Sequence, residues 1–516
     1  MRASRIAVFA DLHYTRGSAK LKGALLREAL RMASALRVEA IVCAGDMLGT
    51  GTIAEATDLR ALYDAQPLPV WSTPGNAELR TPSESAAANA LLANPSPPPD
   101  GVLLIDSSAG YPAECRMPNA QCTMHNEEGQ PSNRQTVKPS NGVGRDVGDR
   151  EKSSLLAVTH VPPDGGAIGL TVAGHLHVDA VRENGACRVL RGLDPDKAIG
   201  GPPSFATFVR DDAGVWHHEA DHEIAGIRPS EWTAAFRDAF LRDLGISTMY
   251  DPFGGLVFAT DEHVPCVELR HASWRVDDAR ALADAVARWR AAGGRVLSLH
   301  LPSLRFADGV ADGVDTVRDA CETARALGCD RVTLHVPKLK ADALAVYRDA
   351  VTDAYARALA PLAGTDTAIG IENMHMTPGE TPATRSFGYT PEECQTLLAD
   401  LRRIPGLAIG FHLDIGHARN NAPYSTLFPV GSWYEQLGAE CNGMHLHQVV
   451  LDAQGTMHNH KPLLGFFDKL IALSSLILAR RDGLLRPAPM FLEVRDGQGP
   501  ASFLALRSMA FCPRKG

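Results

Sequence analysis

Short apolar runs that each end in a polar or charged cluster recur along the whole chain. Residues 5–10 predict a buried strand that delivers Asp11-Leu12-His13. Residues 40–44 predict a second strand ending in Gly45-Asp46, and residues 70–73 a third ending in Pro74-Gly75-Asn76. Between the first two, Leu25, Leu26, Ala29, Leu30, Ala33 and Leu36 recur at helical spacing, so the segment reads as a βαβ unit. Residues 155–159 then lead to His160, and residues 170–173 to Gly174-His175-Leu176-His177. Since every one of these clusters follows an apolar strand, all can converge on one edge of a sheet. Further short strands at 187–190 and 204–209 close the region, with Asp211-Asp212-Ala213-Gly214 as a turn. His217, His218 and His222 read as solvated edge residues.

From Arg228-Pro229-Ser230 the texture changes. Ser230, Glu231 and a periodic apolar run to Leu244 predict a helix capped by Ser230. Strands then follow at 246–250, 266–270, 296–300, 332–335, 369–372, 408–414, 443–447 and 490–493, alternating with helical runs such as 277–292 and 314–327. Eight strands alternating with helices over about 270 residues predict a (β/α)8 barrel. Most of these strands end in a potential metal ligand: His300, His335, Glu372, Asp414, His445 and Glu493. The run Gly410-Phe411-His412-Leu413-Asp414-Ile415-Gly416-His417 adds His417, and Met457-His458-Asn459-His460-Lys461 adds His458 and His460. His447 lies two residues past His445 on the same strand face and ranks second to it. His412 and His375 read as supporting or packing residues.

The 516 residues exceed one ordinary domain, and the fold class expected is two-domain. The expected boundaries are 1–225 and 226–516, with a Pro-, Gly- and Ser-rich disordered insertion at about 107–154. Cys115, Cys122 and His125 within it have no metal-knuckle spacing. A net charge of −9 gives no general basic surface and argues against a nucleic-acid partner. The ten cysteines are scattered without a C-x-x-C pair, as in a reduced compartment. No apolar run approaches the ~18 residues of a membrane span. The expected location is cytoplasmic.

In order, D-x-H, G-D, G-N, H and G-H-x-H over roughly residues 5–220 resemble the calcineurin-like metallophosphoesterases, which implies an α/β sandwich with two divalent ions. On that resemblance Asp11, His13 and His177 hold one metal, Asn76, His160 and His175 the other, and Asp46 bridges them. Two cations sharing a carboxylate can bind phosphate and activate water between them. One departure stands out. The family usually has histidine directly after the G-N asparagine, where it serves the leaving group, whereas this chain has Ala77 followed by Glu78. Losing a general acid costs roughly 10²–10⁴-fold in rate, and Glu78 replaces it only if its pKa is raised. The departure also leaves open that the domain is a degenerate docking module.

The fragments L-H-L-P, T-L-H-V-P, I-G-I-E-N, H-L-D-I-G-H-A, M-H-L-H-Q and F-L-E-V, with the H-x-H loop, resemble the xylose-isomerase-like barrels from about 246 to 500. Within them they are most similar to endonuclease IV. That resemblance implies three zinc ions. His300, His335 and Glu372 would hold one, and Asp414, His445 and Glu493 a second bridged by Glu372. His417, His458 and His460 would hold the third. His458 replaces an aspartate of endonuclease IV, so this set loses a negative charge. A barrel with one metal on Glu372, Asp414, His445 and Glu493 would instead resemble the sugar isomerases and epimerases of the same superfamily.

The expectation is therefore a metal-dependent hydrolase of phosphomonoester or phosphodiester bonds in a small phosphorylated substrate. Asp46, His160, Glu372 and Glu493 would carry the chemistry. The cofactors expected are zinc, manganese or iron, two in the N-terminal domain and one to three in the barrel. The alternative is a sugar (phosphate) isomerase or epimerase in the barrel, coupled to a phosphoesterase domain.

Overall fold

Alternation decides the first sheet. Ile6 and Val8 point to one face of the strand Ser4–Phe9, with Ala10 just past its end, and Val42 and Ala44 do the same on Ala40–Ala44. In the computed structural model these side chains pack against Leu156, Val158, Val172 and Leu190 of a second sheet, and the two layers form a sandwich. The structure describes residues 4–107, 154–162, 169–182, 186–377, 379–452 and 456–511. The insertion read at 107–154 falls almost wholly outside them, as do Cys115, Cys122 and His125. The chain divides into two compact units, Met1–Ala225 and Gly226–Gly516.

In the first unit one sheet runs Trp216–Glu223, Ser204–Arg210, Ser4–Phe9, Ala40–Ala44, Val70–Thr73. Its last three strands are parallel, so their carboxyl ends share one edge. The other sheet runs Val102–Leu104, Leu156–Thr159, Leu170–Ala173, Cys187–Val189, Ala180–Arg182, with only the last strand antiparallel. Trp216–Glu223 is an edge strand, and its His217 and His218 pair with Asp211 and Asp221 at 2.7 and 3.0 Å.

The second unit is a closed barrel of eight parallel strands: Leu244–Ser247, Cys266–Arg270, Val296–His300, Arg331–His335, Ala368–Glu372, Ala408–Asp414, Cys441–Leu446 and Met490–Leu492. Pairing of Gly245 with Phe491 closes the ring. Register aligns His300 with Arg270, His335 with Glu372, and Asp414 with His445. The lead-in helix is Ala234–Asp243, and Thr233, not Ser230, accepts from the Phe236 amide as its N-cap. Ser230 belongs to a separate single turn, Pro229–Glu231, and the first barrel strand begins at Leu244, two residues before the expected position. Among the described residues no helix is long and apolar enough to cross a membrane. The seven described cysteines are buried.

Candidate metal centres

In the first unit the strand ends bring together all seven expected side chains. Asp11, His13 and His177 form one group of converging ligand atoms, and Asp46, His160 and His175 a second. His160 is fully buried, and its Nδ1 lies 2.8 Å from the Ala44 carbonyl, so Nδ1 carries the proton. Its Nε2 then faces Asn76 Oδ1 at 3.3 Å, Asp46 Oδ2 at 3.3 Å and His175 Nδ1 at 3.2 Å. These are lone pairs turned toward one another, an arrangement that a shared cation satisfies. His13 Nε2 lies 3.3 Å from His177 Nε2 and 3.5 Å from Asp46 Oδ2, which places Asp46 between the two groups. The residues present fit two divalent ions bridged by Asp46.

Backbone and charge tell the same story. Asp11, His13, Asp46, His175 and His177 all have positive φ, between 48° and 75°. Such left-handed residues cost of order 1–3 kcal/mol each and persist where a site over-determines them. Gly75 and Gly174 serve the carboxylates by absence: a Cβ at either would lie 2.3 Å from Asp46 Oδ1 or 2.5 Å from Asp11 Oδ2. Burial pushes Asp11 up to about 8, the direction of a carboxylate enclosed without enough countercharge. Burial also holds His13 and His177 well below the usual imidazole range, with Lys197 adding to it, so both are neutral and able to ligate. Burial alone would lower His160, but Asp46 and Asp11 beside it raise it to about 9, so without an ion Nε2 holds a second proton, whose place a cation would take.

Glu78 does not replace the missing histidine. Burial, with Asp46 beside it, pushes its carboxyl up to about 7, yet both oxygens are turned to the backbone. Oε2 accepts from the Asp46 and Gly75 amides at 3.0 and 2.8 Å, and Oε1 from Leu48 at 2.9 Å. Glu78 therefore clamps together the two loops that carry Asp46 and Asn76. Ala77 is itself fully buried, and its amide donates to Asp46 Oδ1 at 2.7 Å.

In the barrel Glu372 is the hub. Its Oε2 lies 3.2 Å from His300 Nε2 and 3.4 Å from His335 Nε2, while Oε1 lies 3.0 Å from His445 Nδ1 and 3.6 Å from His417 Nδ1. His300 Nε2 and Glu372 Oε2 are buried and make no hydrogen bond, which a cation between them would remedy. Glu493 Oε2 lies 3.3 Å from His445 Nδ1 and 3.2 Å from His460 Nδ1. Burial would raise Glu372 and Glu493, but the surrounding histidines, His335 and His445 foremost, hold both well below the usual carboxylate range. The same balance, set by His417 and His447, lowers Asp414. Carboxylates held in the charged form beside converging imidazoles suit divalent zinc, manganese or iron.

The third expected set needs correction. His458 is exposed and pairs with Asp452 at 2.7 Å, away from the cluster. In a regular strand His458 and His460 would share a face. The hairpin of Gln448–Leu451 and Met457–Lys461 instead has a register shift, and His460 has φ 58°. That bulge turns His460 inward and leaves His458 outside. His447, not His458, stands beside the cluster: His417, His447 and His460 converge, as do Asp414, His447, His460 and Glu493. His447 Nε2 lies 3.0 and 3.1 Å from the two Asp414 oxygens, and the His460 amide donates to its Nδ1. The expected ranking of His445 over His447 thus becomes a division between two positions. His375 bonds the Met376 carbonyl, and His412 accepts from Arg331 at 2.9 Å and lies beside the His445 ring.

Three residues escaped notice in the sequence. Asn373 brackets Asp414, accepting from its amide and donating to its carbonyl. Glu268 lies 2.6 Å from His445 Nε2, and buried Arg331 lies beneath it. An acid inside the apolar run Cys266-Val267-Glu268-Leu269 was the available signal, since a strand buried on both faces has no solvent side for it.

Residues 4–192 match the family model of the calcineurin-like phosphoesterases, and residues 258–470 that of the xylose isomerase-like TIM barrels. Among solved structures the chain is similar to endonuclease IV from Thermus thermophilus, with 18% identity, 52% of this chain and 98% of that chain covered, and a TM-score of 0.38. A putative xylose isomerase from Rhodospirillum rubrum has 16% identity, 52% and 98% coverage, and a TM-score of 0.40. A D-tagatose 3-epimerase-like protein has 18% identity, 51% and 95% coverage, and a TM-score of 0.35. No curated protein matches the chain. The chain is a calcineurin-like phosphoesterase domain joined to a xylose isomerase-like TIM barrel.

Proposed function

We propose that the protein is a metal-dependent hydrolase of phosphomonoester or phosphodiester bonds in a small phosphorylated substrate, with a separate metal centre in each unit. The observation that carries this reading for the barrel is the two-sided environment of Glu372. One oxygen faces His300 and His335 and the other faces His445 and His417, the disposition of a carboxylate between two cation positions. When bound, the ions supply Lewis acidity and a water of lowered pKa. The chain's own residues hold that machinery in place: Asp46 and Glu372 as bridges, His160 through its bond to Ala44, and Glu493 toward His445 and His460. Arg270, half-buried, pairs with Glu493 at 3.2 Å and lies over the Tyr250 ring, so a cation is available to an anionic substrate at the rim.

A second reading has its own support. Glu372, Glu493 and Asp414 all reach His445 Nδ1, at 3.0, 3.3 and 3.8 Å, which is the four-residue set of a one-metal sugar isomerase or epimerase. The test uses the full chain with Asp46→Asn and His160→Ala, so that only the barrel can act. Phosphate release that disappears on Glu372→Ala supports the hydrolase. Exchange of substrate hydrogen with solvent, without phosphate release, supports the isomerase and overturns the first reading for the barrel.

A further inference from the structure

His445 is held from both sides. Its Nε2 lies 2.6 Å from Glu268 Oε1, and its Nδ1 faces Glu372, Glu493 and Asp414. Glu268 sits one layer deeper in the barrel than those three carboxylates and is fully buried. Its other oxygen accepts from Ser298 Oγ at 2.9 Å and Thr333 Oγ1 at 2.8 Å, which fixes the carboxylate's orientation. Arg331 Nη1 lies 3.7 Å away and donates to the same two hydroxyls at 3.0 Å each. Room for that guanidinium is made by glycine. A Cβ at Gly370 or Gly443 would lie 2.6 or 2.3 Å from Arg331 Nη2. Five strands thus contribute to one buried arrangement whose free acceptor points at a single imidazole nitrogen.

We propose that Glu268 is a positioning residue that keeps the proton of His445 on Nε2, so that Nδ1 is the nitrogen offered to a cation shared with Glu372, Asp414 and Glu493. The inference rests on reading the barrel as a metal centre. Without Glu268 a neutral His445 would be free to take either tautomer and to rotate, and the Nδ1 lone pair would be presented only part of the time. Partners of this kind, when removed, typically cost about 10–100-fold in metal affinity. Ser298, Thr333 and Arg331 keep Glu268 turned toward Nε2 and out of reach of the cation position.

The test uses the full chain and two probes, zinc ion and cadmium-113. Zinc titration against a competing chromophoric chelator should show a barrel affinity about 10–100-fold weaker in Glu268→Leu. Glu268→Gln, which keeps an acceptor but loses the charge, should lie between that variant and the wild type. In histidine-¹⁵N-labelled protein loaded with cadmium-113, the metal should couple to Nδ1 of His445 while Nε2 keeps its proton. Coupling to Nε2 in the wild type overturns the proposal without any variant needing to fold. So does an unchanged zinc affinity in a Glu268→Leu protein that melts like the wild type. If Glu372→Ala removes no zinc, the barrel-centre reading itself fails and takes this proposal with it.

Discussion

At the residue scale the centres are built as much by small residues as by ligands. Gly416 is the sharpest case, since a Cβ there would lie 1.9 Å from His447 Cε1. His447 is fully buried and bound at both nitrogens, so it cannot swing aside freely. Gly416→Ala should cost about 1–3 kcal/mol by overpacking, read by urea unfolding of the metal-free protein. It should also weaken zinc binding near Asp414 about tenfold or more, and an unchanged titration would show that His447 has no part in the centre. The two hairpin histidines make a paired prediction. His458→Ala, at an exposed position, should change stability by less than about 0.5 kcal/mol and leave the bound metal count unchanged. His460→Ala should lower that count, and elemental analysis of the two variants separates them. Equal losses would mean that the hairpin bulge does not hold in solution.

At the element scale the connections decide how ligands are aimed. The loop after the fifth barrel strand is tied by Glu380, which accepts from Thr377 N, Ser386 N, Ser386 Oγ and Tyr389 Oη at 2.7, 2.9, 2.7 and 2.6 Å. Partial burial would raise this carboxyl, but those donors, the Thr377 amide first, lower it from 4.5 to about 2. A depressed carboxylate contributes stability that is present above its unfolded pKa and lost as pH falls through the folded value. The wild type should therefore exceed Glu380→Gln in melting temperature above pH 4.5, with the gap closing between pH 4.5 and 2. A gap that stays constant across that window would mean that Glu380 is not ionised in this loop. The lead-in helix offers a simpler check: Thr233→Ala should cost about 1 kcal/mol through loss of the N-cap, whereas Ser230→Ala should cost far less.

At the scale of the whole molecule the two centres draw their ligands from separate units, so they should load separately. In the full chain His160→Ala should reduce the metal bound by the first unit, two ions on the proposed reading, and leave the barrel's share intact. Glu372→Ala should do the reverse. Elemental analysis of both variants and of the double variant tests this, and a double variant that loses no more than either single one would contradict it. Stripping the metals with a chelator should also lower the melting temperature, since ions bound at 100 times their dissociation constant stabilise by about 2.7 kcal/mol.

Much of this was legible before any coordinates. Parallel strands that run apolar to their last residue must place the residues just beyond their ends on one edge, so Asp11, Asp46 and Asn76 could be grouped from pattern and order, and likewise His160, His175 and His177; that these are edges of two sheets, not of one, only the folded sandwich decided. The barrel followed from eight apolar runs, and His300, His335, Glu372, Asp414 and Glu493 from standing at their ends. Tertiary structure decided what periodicity cannot carry. A one-residue bulge with left-handed His460 reversed the facing of His458, because a period of two holds only while the register does. Glu78 became a clamp because three amides from two loops happened to meet its oxygens. His445 and His447 were divided by what lies below and above the strand end, Glu268 in one case and the His460 amide in the other. Glu268 itself stayed hidden, because a buried acid is defined by partners on other strands, and those are neighbours only once the barrel has closed.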